Sequence, residues 1–115
     1  MGEGVSDPTA ILGERLAEIW RRSRPSVLER VDILRSVYEQ LEIDAQNMEA
    51  QQRGREAAHK LAGILGVFGL SEAGEIASKI EGLLTSAMPL KASDLAEFGE
   101  QLARVETLVA SKPAP

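Results

Sequence analysis

Cysteine is absent from this 115-residue chain, and histidine occurs once, at position 59. The first absence excludes disulfides and thiolate metal sites; the second excludes any site built on two imidazoles, leaving carboxylates as the main source of metal ligands. Aromatic residues make up only 3% of the chain, so a core has to be assembled from Leu, Ile, Val and Ala, the usual material of helical bundles. Strand-type alternation of apolar and polar residues is missing. The longest run without charged or other polar side chains, Leu61 to Leu70, includes three glycines and is too short to span a bilayer. The segment from Met1 to Pro8 lacks the basic and apolar regions of a signal peptide. A soluble, cytoplasmic protein without a membrane partner is expected. Positive charge is in deficit as well: 13 basic against 18 acidic side chains leave a net charge of −5. The average field repels phosphate backbones, and nucleic acid is not an expected partner.

What the chain does contain is 43% hydrophobic residues, enough for one modest core in one domain. Asp7-Pro8 places a capping side chain before a proline suited to a first helical position, and Leu12, Leu16, Ile19 and Trp20 follow at helical spacing. The pattern predicts a first, shorter helix to about Arg22, interrupted at Pro25. Ser26 to Glu29 has the spacing of a capping box and starts a second helix with the stripe Val27, Val31, Leu34, Tyr38 and Leu41. Asp44 is the candidate cap of a third helix running to about Phe68, which Gly69 can close in the left-handed conformation. Ser71 and Ser93 are candidate caps of two more, with stripes Ala73, Ile76, Ala77, Ile80, Leu83, Leu84 and Leu95, Phe98, Leu102, Val105, Val109. Short connections favour antiparallel neighbours. The expected architecture is all-α: an antiparallel up-down four-helix bundle with a shorter N-terminal helix, spanning residues 7–110 between a disordered start (1–6) and a disordered tail (111–115).

Unrolled at about 100° per residue, the third helix puts Ala57, Leu61, Ile64, Leu65 and Phe68 opposite His59. The imidazole is therefore expected on the surface. On its own side lie Gln52, Arg55 and Glu56 before it and Ala62, Gly63 and Gly66 after it. Each interior glycine costs roughly 1 kcal/mol relative to alanine. Close helix packing accounts for Gly54, on the core side, but not for Gly63 and Gly66, which clear a patch beside the ring. No serine or cysteine lies within a turn of His59, which argues against a hydrolytic nucleophile pair. No Gly-Lys-Ser/Thr phosphate loop is present either. Periodicity alone is equally compatible with an ordinary surface histidine and a functional one.

The segment Ala57-Ala58-His59-Lys60-Leu61-Ala62-Gly63-Ile64-Leu65-Gly66-Val67-Phe68-Gly69-Leu70 resembles the signature of histidine-containing phosphotransfer (HPt) domains, and the likeness extends over about Pro25 to Val109. The resemblance implies a phosphorelay intermediate in which His59 accepts a phosphoryl group from a histidine kinase or a receiver-domain aspartate and passes it to another receiver. It implies no autonomous catalysis and no cofactor of its own, any Mg²⁺ belonging to the receiver. Gly63 would allow close approach beside the ring, with Ala62 and Gly66 extending the bare surface, and Gly69 would close the helix. Lys60 is a candidate for neutralising phosphate and Gln52, Arg55 and Glu56 for docking, each against the simpler reading of a solvated side chain. Glu81 is a candidate for orienting the imidazole, although a plain surface glutamate is the simpler reading. The family usually has lysine three residues after the histidine, and this chain has Ala62. That departure leaves room for a second reading, a non-phosphorylated adaptor that binds a receiver or kinase. A monomer is expected; a dimerising bundle would need an uncovered apolar stripe, for which Ile11, Leu12, Ile19 and Trp20 are the candidates.

Overall fold

The computed structural model describes residues 8–112. Four α-helices follow one another: α1 Pro8–Ile43, α2 Met48–Leu65, α3 Ser71–Thr85 and α4 Ala92–Ala110, with a 3₁₀ turn at Gly66–Phe68 and no strand among the described residues. The disordered start, the Asp7 cap and the last three residues of the expected tail lie outside the described residues.

The helices close into a ring in which each packs against the next and α4 returns to α1. Every contact across the ring is antiparallel. Lys79 pairs with Glu97 at 3.2 Å and Glu72 with Arg104 at 2.6 Å, so numbers fall along α3 as they rise along α4. Arg35 and Tyr38 of α1 meet Glu106 and Phe98 of α4 in the same opposed sense. The core has the composition that few aromatics dictate: Val27, Val31, Leu34, Val37 and Leu41 from α1, Leu61 and Leu65 from α2, Ile76, Ile80 and Leu84 from α3, and Phe98, Leu102, Val105 and Val109 from α4. Arg35 and Glu106 form a two-bond ion pair at 2.6 and 2.9 Å, and the bonded carboxylate raises the guanidinium's pKa still further.

Two expectations about helix boundaries are corrected. Pro25 does not end a helix; it lies inside α1, a single helix of 36 residues. A proline in a helix interior costs about 3 kcal/mol, but Trp20 before it and Val27 after it are both buried in the same core, so packing on either side holds the axis through the break. Pro25 itself faces solvent, where water can satisfy the carbonyl it deprives of a partner. Ser26 consequently caps nothing: its hydroxyl accepts from Arg30 one turn on. The shorter N-terminal helix is thus the first half of α1, and Pro8 to Ile19 overhangs the bundle, drawing the molecule out to 66 × 20 × 19 Å.

The caps are also reassigned. The break before α2 falls where the apolar stripe lapses, but Asn47 caps it, its side-chain oxygen accepting from the Ala50 N–H at 3.0 Å, while Asp44 accepts from the Gln46 N–H inside the turn. Ser71 and Ser93 make no cap; Leu70 and Lys91 precede α3 and α4 without side-chain bonds to the helix start. Gly69 does close the 3₁₀ turn with φ +76°, and the Leu70 N–H reaches back to Leu65 O at 3.1 Å. At the opposite end the buried Gln51 donates to Leu84 O and Ala87 O at 2.8 and 2.7 Å, tying the end of α3 to α2. No helix of the described residues is long and apolar enough to cross a membrane.

Candidate functional site

His59 stands on the outward face of α2, its side chain 74% exposed. The residues on the far side of the helix explain the orientation: Ala57, Ala58, Leu61 and Leu65 are buried in the core, and at 3.6 residues per turn they leave position 59 no direction but outward. The ring does not stand free. Its Nδ1 lies 2.9 Å from Oε2 of Glu81 on α3, a carboxylate whose side chain is only 32% exposed. A carboxylate can only accept, so Nδ1 carries the hydrogen, and in the neutral ring the lone pair is at Nε2. This is how a neighbouring acid selects a tautomer and aims a ring. Glu81 therefore touches the imidazole, where the simpler sequence reading had it solvated.

Around the ring, Gln52, Arg55, Glu56, His59, Lys60 and Glu81 line one shallow cleft of about 350 Å³. Arg55 donates to the Gln52 side-chain oxygen, and the Gln52 amide reaches Glu56 at 3.4 Å. On the other side of His59, Gly63 and Gly66 are exposed, and a Cβ on either would meet nothing within 4 Å. The patch is bare in the sense expected: backbone faces solvent one and two turns after the histidine. Ala62 is half-buried against the core, and Gly69 belongs to the turn, not the cleft. Among the described residues no group of three or more His, Asp or Glu is placed to hold a metal ion. A deeper hollow of about 520 Å³, between the α1 overhang and the Gly66–Gly69 turn, contains Lys112 as its only charged side chain and lacks the site's chemistry.

Sequence reasoning placed Ala73 and Ala77 on the apolar stripe of α3 but passed over Gly74 between them. Ala73, Gly74 and Ala77 of α3 are buried, and a Cβ on Gly74 would come within 3.5 Å of the Gly66 backbone N and 3.6 Å of Ala62 O, where α3 meets α2. Small residues at this seam let the two helices approach closely. Glu81 stands seven residues, two turns, beyond Gly74 on the same side of α3, so this approach is what brings its carboxylate to His59. The signal was available as three small residues at helical spacing.

Comparison with known proteins gives the family. The family model described as Hpt domain matches residues 18–110, beginning inside α1 and leaving most of its overhang outside. The chain is 36% identical over 66 residues to protein RcaC of Microchaete diplosiphon, an alignment covering 57% of this chain and 10% of that protein. The chain thus spans about a tenth of the length of that relative. No solved structure matches.

Proposed function

Because the chain belongs to the Hpt domain family, with the phosphorelay role in two-component signalling that membership carries, we propose that His59 is the phospho-acceptor and that it exchanges its phosphoryl group with the aspartate of response-regulator receiver domains or receives it from a histidine kinase. The observation that supports this most directly is the exposed imidazole whose Nδ1 is engaged by Glu81 at 2.9 Å while backbone alone faces solvent at Gly63 and Gly66.

The chemistry assigned to this chain is small. The Nε2 lone pair attacks the phosphorus of an aspartyl phosphate; the N–P bond forms as the acyl P–O bond breaks, and the aspartate leaves as a carboxylate. The imidazole then carries positive charge, its proton remaining at Nδ1 against the Glu81 carboxylate, which stabilises the charged ring. The return step reverses each bond. Any divalent cation in this exchange belongs to the receiver.

Glu81 makes the first prediction. Glu81→Gln keeps an oxygen that can accept from Nδ1 but removes the charge. Transfer from a phospho-receiver should slow about tenfold, as loss of a charge-assisted contact to the cationic ring allows; stopped-flow or quench-flow transfer rates measure it, and an unchanged rate would reduce Glu81 to a surface contact.

The central test incubates the protein with radiolabelled phospho-receivers and kinases from its own source. Expected is an acid-labile, base-stable label that maps to the His59 peptide and vanishes in His59→Gln. Ala62, three residues after the histidine where the family usually has lysine, favours the adaptor as a second reading. If partners bind with measurable affinity yet none of a full panel ever labels the chain, the adaptor stands and the relay falls.

A further inference from the structure

The cleft around His59 holds two carboxylates, Glu56 and Glu81, and two cations, Arg55 and Lys60. A phosphoryl group arriving with about two negative charges needs one of the cations, because position 62, three residues after the histidine, carries a methyl group. We propose, on the basis of the phosphorelay reading above, that Arg55 is the positioning residue that binds the phosphoryl oxygens at His59, approaching from one turn before the ring in place of a lysine from one turn after it.

Three observations separate Arg55 from Lys60. The first is direction. At about 100° per residue, Ala62 lies about 60° to one side of His59, Arg55 about 40° to the same side, and Lys60 about 100° to the other. Arg55 and position 62 therefore flank the same edge of the imidazole, displaced along the axis by about 6 Å before and about 4.5 Å after it. The second is competition. Lys60 also lines a hollow on the α1 side with Glu29, Arg30, Arg53 and Glu56. Glu56 stands four residues before Lys60, the favourable order for a helical ion pair, so the lysine has Glu56 and Glu29 to turn to in that hollow, although it is bonded to neither. The third is anchoring. Among the described residues neither cation forms an ion pair, but the Arg55 guanidinium is held in the cleft by donating to the neutral side-chain oxygen of Gln52, a partner that can be exchanged for phosphate oxygens without uncovering a charge. The neighbouring Arg53 points away, donating to Gln40 of α1 at 2.6 Å.

An arginine suits the task. Its planar fork donates two parallel hydrogen bonds to one phosphoryl group, and its stem has the reach to span one helical turn. Neutralised oxygens repel the cleft's carboxylates less and expel the phosphoryl group from the N–P bond less readily. Both the formation and the lifetime of the phosphohistidine then depend on this side chain.

The test uses phosphoramidate as donor, in which the donor's P–N bond breaks, ammonia leaves and the Nε2–P bond forms, so no partner protein is required. Labelling rate and phosphohistidine lifetime are followed by intact mass and ³¹P NMR for the unaltered chain, Arg55→Gln, Arg55→Lys, Lys60→Gln and the double variant Arg55→Gln/Ala62→Lys, with folding checked by circular dichroism. Arg55→Gln is expected to lose about three- to tenfold in both quantities, as a charge-assisted contact at a partly exposed site allows. Arg55→Lys should fall between, Lys60→Gln should change less than about twofold, and lysine at position 62 should restore the loss from one turn after the ring, along the same edge, a rescue no merely structural role produces. Arg55→Gln matching the unaltered chain, or a larger loss in Lys60→Gln, overturns the assignment of Arg55 and leaves the phosphorelay reading intact. A folded chain that neither phosphoramidate nor any phospho-receiver labels overturns both.

Discussion

Gly63→Leu is expected to stop phosphoryl exchange with receiver domains, by a hundredfold or more, in a protein that is folded and slightly more stable than its parent. The residue is exposed, and nothing stands within 4 Å of where its Cβ would be. Leucine is among the better helix formers, and the substitution recovers close to 1 kcal/mol of backbone propensity, so lost activity cannot be attributed to unfolding. The loss comes from the partner's side. In-line transfer needs phosphorus within about 3–3.5 Å of Nε2, and misplacement by about 1 Å can cost a hundredfold. A helical side chain leans back over the turn before it, so a leucine one turn after His59 occupies the space over which the receiver backbone would come in the proposed exchange. Phosphoramidate is small enough to pass beside it and should still label His59 within a fewfold of the original rate. Loss of exchange with retained small-donor labelling would tie the glycine to docking. Normal exchange by Gly63→Leu would mean that the receiver approaches elsewhere.

Gly54→Leu should do the opposite, leaving the chemistry untouched in principle while removing the fold that carries it. Gly54 is buried between three helices: a Cβ there would sit 2.8 Å from Val37 Cγ1 of α1 and 3.0 Å from Leu84 Cδ1 of α3. Valine is stiff at χ1 and cannot swing aside. Alanine would gain about 1 kcal/mol of propensity and spend a similar amount on the contact, leaving a small net change. Leucine adds three further carbons where no space exists, and overpacking of that kind costs about 3 kcal/mol, a large share of the roughly 5–15 kcal/mol that holds a domain together. A fall in melting temperature of about 10 °C or more is expected by circular dichroism. A melting temperature at or above that of the unaltered chain would show that α1 and α3 separate more freely than their packing implies.

These two glycines, nine positions apart on α2, have opposite fates, and the sequence distinguishes them. Gly54 falls on the arc of Leu61 and Leu65 and Gly63 on the arc of His59, which follows from the 3.6-residue period alone. The same arithmetic places the imidazole outside, and Gly69 announces itself as a helix closure because few residues but glycine hold a positive φ without strain. Caps were read less well. Ser71 and Ser93 have the right chemistry, but each chain entry is set by how the preceding turn packs, and Leu70 and Lys91 take the cap positions. At Pro25 local propensity was overruled outright, since the proline's cost is local while the burial of Trp20 and Val27 that offsets it involves residues distant in the chain.

The sequence by itself determined four apolar stripes, the outward face of His59 and the bare patch after it, because helical periodicity converts spacing into direction without reference to any other element. Tertiary structure alone decided that α1 runs unbroken and that Glu81 of α3, rather than any neighbour of His59 in the chain, holds the imidazole's Nδ1. A contact between residues 22 positions apart depends on how closely two helices approach, and that distance is set by the small residues packed between them.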